Sequence, residues 1–369
     1  MITRPPRFGF PGGLRLPGHK AVTAEAPVGQ VPLPDELVVP LARHGGDPAR
    51  PTVAVGDRVD RGTRIGRPAG DFSAAVHASS SGTVTAVEQR PVPHPSGLPE
   101  TCVVIAPDGL DTVTPDAPAP MPDWPAASPA TLRRRIADCG VVGLGGAAFP
   151  AAVKVTPGSE QEVQLLVINA IECEPWITCD DRLLRERADE VITGARILRH
   201  VLGAAEVVVA LEEDKAAARD AVAAALDADG DTTIALAPVP VRYPVGGEKQ
   251  LIQTLTGHEV PSGGLPLDIG VLCHNAGTAA AVTRAVVHGE PLTDRVVTVA
   301  GTGVGAPRNL RARIGTPLAT LVAAAGGYHG RVNRLVIGGP MMGFAVTDDA
   351  VPVSKGCNCV LVGEQEAFP

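Results

Sequence analysis

The sequence predicts a multidomain α/β protein with three folded parts: an N-terminal all-β domain, a central doubly wound α/β domain and a small α+β domain. Short β-like runs alternate with turn residues up to about residue 105, which is typical of an all-β domain. Strands and helices alternate from residue 129 to residue 290, and a β-β-α-β order follows. Repeated β-α-β units favour a mostly parallel sheet whose ligands bind beyond the carboxyl ends of the strands.

Residues 1–110 form the predicted N-terminal domain. Residues 53–62 match V-x-V-G-D-x-V-x-x-G and residues 77–84 match H-A-x-x-S-G-x-V, and each segment predicts a strand, a turn and a second strand. The pair resembles the barrel-sandwich hybrid of biotinyl and lipoyl carrier domains. Such carriers present a modifiable lysine between the two halves, whereas residues 67–75 contain none. We therefore expect a structural or docking role instead of a swinging arm.

Residues 111–128 are a proline-rich linker. Its five prolines exclude a helix and favour an extended, semi-rigid chain. Ser128 and Pro129 then provide an N-cap and a first helical residue, and Gly140 ends the predicted helix. The central domain is therefore expected to begin at residue 129.

The central domain, residues 129–290, contains the alternating elements. Its strands are predicted over residues 163–171, 207–211, 233–236 and 270–275. Its long helices are predicted over residues 181–202, 215–226 and 278–287. The first of these helices carries an apolar stripe and is ended by Gly203.

Residues 291–345 form the predicted small α+β domain. Its elements are strands over residues 295–300, 309–314 and 335–337 and a helix over residues 317–325. Residues 346–369 are interpreted as a tail without a core of its own. Within it, Cys357 and Cys359 are interpreted as two thiols in a loop, because nothing nearby completes a metal site. No metal site is expected in this chain.

Composition limits the classes of function. The chain of 369 residues has a formal charge of −8 and only 6 Phe, 2 Tyr and 2 Trp. Nucleic-acid binding needs a basic field and rings for base stacking, so that class of partner is excluded. No apolar stretch approaches the roughly 20 residues that span a bilayer, and the start lacks the apolar region of a signal peptide. The sequence therefore predicts a soluble, intracellular protein that is able to dock on a membrane complex.

Four segments of the central domain carry residues suited to ligand binding: residues 143–150 with Lys154 after them, residues 169–181, residues 243–249 and residues 274–278. Glycines free backbone N–H groups for phosphate oxygens, and a nearby lysine neutralises the phosphate. Amides and carboxylates can bind a ring edge and hydroxyl groups. Each segment alone is also compatible with a plain turn or cap, and the acids of the second one with a divalent cation.

Together the four segments resemble a family. Their order and spacing are similar to those of the NADH-binding flavoprotein subunit of respiratory complex I. The segments E-C-E-P-W-I-T-C-D-D-R-L, G-G-E-K-Q-L-I and V-P-S-G-G-L-P resemble the C subunit of the Rnf electron-transport complex more closely. Gly12, Gly13 and Lys20 resemble the start of the N-terminal domain of that family, and the terminal α+β unit resembles its β-grasp domain for soluble ligands.

The resemblance implies roles for individual positions. The residues implied to bind FMN are Gly143, Gly145, Gly146, Lys154, Asn169, Glu172, Gly247, Glu248, Asn275 and Thr278. Phe149 and Glu174 are implied to contact NADH. Ile171 stands at a position that is acidic in the complex I pattern, and Lys249 replaces the acid that follows Glu248 there.

The resemblance also implies a function: hydride exchange between NAD and FMN, followed by single-electron transfer to iron–sulfur centres, with no catalytic side chain. NAD(H), the other subunits of a membrane-associated ferredoxin:NAD oxidoreductase and, indirectly, ferredoxin are the implied partners, and the cytoplasmic face of the membrane is the implied location. The [4Fe–4S] clusters are expected only in a C-terminal extension, because the sequence ends at Pro369, about where the first cluster motif is expected. The alternatives are a flavin-dependent cobalamin reductase of diol-utilising microcompartments and a non-catalytic scaffold with a degenerate flavin pocket.

Overall fold

The computed structural model describes residues 2–3, 6, 9–42, 45–156, 162–228 and 232–364. The strands are β1 Ile2–Thr3, β2 Gly29–Gln30, β3 Leu37–Pro40, β4 Arg50–Pro51, β5 Arg58–Val59, β6 Arg64–Arg67, β7 Val76–His77, β8 Gly82–Arg90, β9 Glu100–Pro107, β10 Leu165–Asn169, β11 Glu206–Glu212, β12 Ile234–Val239, β13 Val271–Asn275, β14 Asp294–Ala300, β15 Arg308–Arg313, β16 Val332–Ile337, β17 Phe344–Val346 and β18 Cys359–Glu364. The helices are α1 Ala21–Ala24, α2 Pro129–Asp138, α3 Ala151–Lys154, α4 Cys179–Leu202, α5 Ala216–Ala228, α6 Glu248–Thr256, α7 Ala276–Thr283 and α8 Leu318–Ala324.

The central domain is built on a parallel sheet of five strands in the order β1-β12-β11-β10-β13. Side chains alternate between the two faces of β10. Leu166 and Ile168 pack in one core with α2, α4, α5 and α7, whereas Leu165 and Val167 pack in a second core with α6. Helices therefore cover both faces, and the predicted doubly wound class is confirmed.

Close packing of α4 against α7 positions the start of both helices. A Cβ added at Gly194 of α4 would lie 1.9 Å from the carbonyl oxygen of Ala279 in α7, so the two backbones are in direct contact. Gly203 ends α4 with φ +63°, as predicted. The start of α4 at Cys179 is two residues earlier than predicted. No helix of the described residues is both long enough and apolar enough to cross a bilayer.

The all-β domain consists of two antiparallel sheets, β3-β9-β8-β5 and β4-β6-β7. Apolar side chains from both sheets share one core, with Leu37 and Ile105 from the first and Ile65 and Val76 from the second. This sandwich confirms the predicted N-terminal class. The strand predicted within residues 53–59 is reduced to Arg58–Val59.

Described parts of the first 30 residues, which the sequence assigned to the all-β domain, pair with strands of the other two domains. Strand β1 pairs with β12 of the central sheet, and β2 pairs with β15 of the third sheet. Phe10 packs in the core that lies beneath α6. The N-terminal segment instead completes the edges of two other sheets, because an edge strand gains backbone hydrogen bonds from any segment that can reach it.

The third domain has a mixed sheet of six strands in the order β17-β16-β18-β14-β15-β2, with α8 packed against it. Strand β18 lies between β14, to which it is parallel, and β16, to which it is antiparallel. The interpretation of residues 346–369 as a tail without a core is therefore wrong for Cys359–Glu364. The apolar run of this strand is buried on both faces, and Cys357 is buried in the same core.

Residues 111–128 form an irregular segment with a 3-10 turn at Trp124–Ala126 and a turn that the N–H of Ala117 closes to Thr114 O at 3.2 Å. Hydrogen bonds fasten this segment to the all-β domain and to the central domain. The N–H of Arg61 donates to Thr112 O at 2.7 Å, and the N–H of Met121 donates to Val287 O at 3.1 Å. The linker is therefore held by the domains that it connects.

Lys355 joins the three domains at one point. Its Nζ donates to Ala75 O of the all-β domain at 2.7 Å and to Gly140 O of the central domain at 2.8 Å. The side chain is buried, and burial lowers the pKa of Lys355 to about 7. The amine of Lys355 at this junction therefore changes between its charged and neutral forms near neutral pH.

Replacing Lys355 with Met is expected to change how stability depends on pH. Because its pKa is about 7 when folded and 10.5 when unfolded, the unfolded chain binds the extra proton between these values. Its contribution to the free energy of unfolding therefore rises with pH in this window, by up to about 1.4 kcal/mol per pH unit. Urea unfolding of the native protein and of Lys355→Met at several pH values measures this difference, with exposed Lys249→Met as the control. A difference that stays flat from neutral to mildly alkaline pH would contradict the assignment.

Candidate functional site

A cleft of about 700 Å³ lies at the carboxyl ends of β10 and β13. All four segments identified in the sequence contribute to it. The predicted site residues that line it are Gly145, Gly146, Asn169, Glu172, Glu174, Gly247 and Asn275. Residues Ile337, Met342 and Phe344 of the third domain complete its wall. Segments far apart in the chain therefore converge on one cleft, at the place expected for an open parallel sheet.

The glycine-rich loop between α2 and α3 presents its backbone to the cleft. Gly146 has φ +108°, a conformation that side chains with a Cβ rarely adopt. The N–H groups of Gly145, Gly146 and Ala147 donate to no other described residue. A Cβ at Gly145 would lie 3.3 Å from the Cβ of Asn275, so glycine lets the loop approach α7. Three successive donors are thereby available to an anionic ligand.

Two asparagines hold the strand ends in place. Asn169 Nδ2 donates to Gly246 O at 2.9 Å, and its Oδ1 accepts the N–H of Ile171 at 3.0 Å. Asn275 Oδ1 accepts the N–H groups of Gly277 and Thr278 at 2.9 and 3.3 Å, which caps α7. Each amide keeps one further N–H for a ligand, and Asn169 Oδ1 also keeps one lone pair.

Glu172 caps the start of α4. Its Oε1 accepts the N–H of Asp180 at 2.8 Å, and its Oε2 accepts the N–H of Asp181 at 3.2 Å. The carboxylate is buried, and the positive end of a helix stabilises such a charge. Because both oxygens accept backbone hydrogen bonds, the geometry favours a structural cap over the divalent-cation alternative.

Asp180 is a cleft residue without a predicted role in the site. It lines the cleft, and its Oδ2 accepts a hydrogen bond from Asn275 Nδ2 at 2.5 Å. Burial raises the pKa of Asp180 to about 7, and the neighbouring charge of Glu172 acts in the same direction. The paired acids at the start of a predicted helix are a signal for this residue, but a helix start alone also explains them.

Lys20 is a second residue without a predicted role in the site. Its Nζ donates to Glu172 O and to Glu212 Oε2, the latter at 3.0 Å. The side chain of Glu212 is 1% exposed, so the N-terminal segment delivers the cation that neutralises a buried acid beneath the cleft. The separation of 152 residues between Lys20 and Glu172 leaves no periodic pattern to reveal this contact.

Other predicted FMN residues lie behind the cleft. Thr278 is fully buried, and its Oγ1 accepts the N–H of Leu144 at 2.9 Å, which fixes the glycine-rich loop. Lys154 Nζ pairs with Glu248 Oε1 at 2.6 Å. Together with Gly143, these residues are absent from the described wall of the cleft, and their contacts with FMN stay predictions.

The two predicted NADH residues have different surroundings. Phe149 packs against Phe72 of the all-β domain, with ring centroids 6.2 Å apart. Glu174 lines the cleft, but its Oε2 accepts the N–H groups of Met341 and Met342 at 2.9 and 3.1 Å. Glu174 therefore already fastens a turn of the third domain over the cleft. Contact of either residue with NADH stays a prediction.

Three protein families match parts of the chain. Residues 8–110 match the RnfC barrel sandwich hybrid domain, residues 136–284 the Nuo51 FMN-binding domain and residues 296–345 the SLBB domain. The cleft lies mainly within the second of these regions.

Several curated proteins are similar over nearly the whole chain. They are named as the C subunit of the ion-translocating oxidoreductase complex. The protein from Pseudomonas aeruginosa is 49% identical, over 98% of this chain and 46% of that protein, and the one from Rhodobacter capsulatus is 42% identical, over 96% and 68%. The chain thus spans about half the length of the Pseudomonas relative.

A solved structure is also similar. An NAD+-reducing [NiFe]-hydrogenase in the H2-reduced state is 23% identical with a TM-score of 0.55, over 66% of this chain and 48% of that one. At this level of identity the likeness supports the fold alone.

Replacing Lys20 with Met is expected to destabilise the fold. The change leaves Glu212 buried without its cation, at a cost of about 3 kcal/mol near pH 8. Burial already raises the pKa of Glu212, so the loss of stability becomes smaller as the pH falls and the carboxyl takes up a proton. Urea unfolding near pH 8 and at mildly acidic pH, with exposed Lys249→Met as control, measures both effects. An equal loss of stability at both pH values would show that the uncompensated charge of Glu212 is not its cause.

Proposed function

Because the chain belongs to the family of C subunits of ion-translocating oxidoreductase complexes, we propose that it binds FMN in the cleft and exchanges hydride between FMN and NAD(H). One observation carries this proposal: four segments separated along the chain line one cleft at the carboxyl ends of the parallel strands. The match of residues 136–284 of this chain to the Nuo51 FMN-binding domain also supports the proposal.

The donors around the cleft fit a flavin mononucleotide. A volume of about 700 Å³ is within the range of small-molecule sites. The N–H groups of Gly145, Gly146 and Ala147, which donate to no other described residue, suit a phosphate, and Lys154 would add the positive charge that a phosphate requires. The remaining amide groups of Asn169 and Asn275 suit the polar edge of a ring.

FMN, when bound, supplies the conversion between two-electron hydride transfer and single-electron transfer. The protein side chains orient the cofactor and enclose it. Glu172 holds the start of α4 against the cleft, and Thr278 fixes the glycine-rich loop. Phe344 and Met342 of the third domain form an apolar wall, which limits the access of water to the reacting groups.

NAD(H) is proposed to enter between the glycine-rich loop and the third domain. Phe149 would supply a stacking surface there. Glu174 Oε2 is occupied by the N–H groups of Met341 and Met342, so Oε1 is the oxygen left for a ribose hydroxyl.

The proposed setting is the cytoplasmic face of a membrane complex. Electrons would leave singly to iron–sulfur centres and reach ferredoxin indirectly through other subunits. The name of the relatives, which places them in an ion-translocating oxidoreductase complex, supports this assignment. It favours the proposal over the cobalamin reductase alternative.

Absorbance of the purified chain tests the proposal. We expect a flavin spectrum after addition of FMN and removal of the excess, and NADH should bleach it under anaerobic conditions. Colourless protein that does not retain FMN would favour the scaffold alternative. A bound flavin that NADH leaves oxidised would contradict hydride exchange but not FMN binding.

Replacing Lys154 with Ala is expected to weaken FMN binding about 10- to 100-fold, because a hydrogen bond to a charged group contributes about 1.5–3 kcal/mol. Fluorescence titration with FMN measures the dissociation constant. Lys249→Ala is the matched control, since the Nζ of Lys249 donates to Gly264 O on the surface. Equal affinity of both variants would place Lys154 outside the phosphate site.

A further inference from the structure

We propose that the carboxyl group of Asp180 takes up a proton from solvent when the cofactor in the cleft is reduced, and that a second cavity behind the cleft is the path for this proton. The inference rests on the proposed FMN function. It assigns a charge-balancing role to a residue that touches both the ligand cleft and an independent opening.

The geometry consists of two cavities and one carboxylate. The second cavity, of about 170 Å³, lies between α4, α7 and the start of β14. Among the described residues, Asp180 is the one that lines both this cavity and the cleft. Its side chain therefore stands in the wall between them.

Polar groups continue along the second cavity. Glu186 and Glu190 of α4 and Glu290 beyond α7 line it, together with Gln30 of the N-terminal segment. Water molecules need polar partners in order to occupy such a space, and these groups provide them. The arginines that also line it are Arg187, Arg284, Arg295 and Arg311. Arg284 pairs with Glu190 and with Asp294, and Arg311 also pairs with Asp294, which favours a hydrated passage over an anion site.

The groups that face Asp180 set its proton affinity. Glu172 and Cys179 lie on its own side of the helix start, Asn275 donates to it from the end of β13, and Arg295 approaches from β14. Glu172 already accepts the two N–H groups at the start of α4, so Asp180 is a second acid at this positive end. With a pKa of about 7, its carboxyl is poised between the two protonation states at neutral pH.

The negative charge that reduction adds to the cleft determines how many protons are taken up. A hydride delivered into the cleft brings two electrons and one proton, which adds one negative charge next to Asp180. An added negative charge raises the pKa of a neighbouring carboxyl. One proton then leaves bulk water and forms an O–H bond at an Oδ atom of Asp180, so the added charge is neutralised and no electron passes through the side chain.

Proton uptake by Asp180 on reduction is expected above neutral pH and not below it. Below about pH 7 the carboxyl is already protonated, so reduction takes up no additional proton there. Above that value, and up to the higher pKa of the reduced state, reduction takes up one proton at Asp180. The reduction potential of bound FMN should therefore fall more steeply with pH above neutrality. Uptake of one additional proton changes the equilibrium constant of reduction tenfold per pH unit, which adds about 30 mV per pH unit to the slope for a two-electron reduction.

Anaerobic potentiometric titration of the FMN-loaded chain from about pH 6 to about pH 9 measures this slope. The native protein should show the additional slope, and Asp180→Asn, which cannot take up the proton, should lose it. Asp220→Asn is the matched control, since that carboxylate lies exposed on α5 and pairs with Arg219.

The outcomes separate the two proposals. A native chain that does not retain FMN overturns the proposed function and this inference together. A native chain that retains FMN and has no steepening above neutral pH overturns the inference alone, and this result needs no variant. Equal slopes for the native protein and Asp180→Asn have the same meaning. If the amide variant does not fold, Asp180→Ser, with a smaller side chain, supplies the comparison.

Discussion

The start of α4 is the electrostatic constraint on which the site depends. Three carboxylates meet there: Glu172 caps the helix, Asp180 faces the cleft and Asp181 follows it. A helix dipole stabilises one such charge by about 1 kcal/mol, which is too little for three. Cations therefore surround the cluster: Arg185 and Lys215 pair with Asp181 at 2.9 and 3.1 Å, and Arg295 of the third domain acts on Asp180. The ligand cleft and the association of the domains thus share one cluster of charges.

The third domain completes the cleft as well as the charge balance. Arg295 Nη2 donates to Leu144 O at 3.0 Å and so fixes the glycine-rich loop from behind. The N–H groups of Met341 and Met342 donate to Glu174 at the opposite rim. The loop and the rim are consequently held by hydrogen bonds that cross a domain boundary. Such contacts transmit any shift of the third domain to the place where a nucleotide would bind.

The sequence predicted those features that follow from short-range patterns. The apolar run of β10 and the polar residues after it, Asn169 and Glu172, placed the site at the sheet edge. Contacts between residues far apart in the chain, such as that of Lys20 with Glu212, could not be predicted from the sequence. Strand β18 was missed because no helix or turn pattern separates it from the preceding irregular segment, although its run of Cys359 to Val362 is apolar enough for a buried strand. Local polar residues thus identified the cleft, whereas the cations that stabilise it depend on tertiary packing.

The position of β18 determines the order in which the third domain can form during synthesis on the ribosome. Strands β14 and β16 are made first, yet neither pairs with the other, because β18 lies between them. Until Cys359–Glu364 leaves the exit tunnel, both strands expose unsatisfied backbone edges, which are prone to pair with other nascent chains. The parallel sheet of the central domain is already complete by then. The sheet that carries the cleft therefore folds before the third-domain wall that covers it.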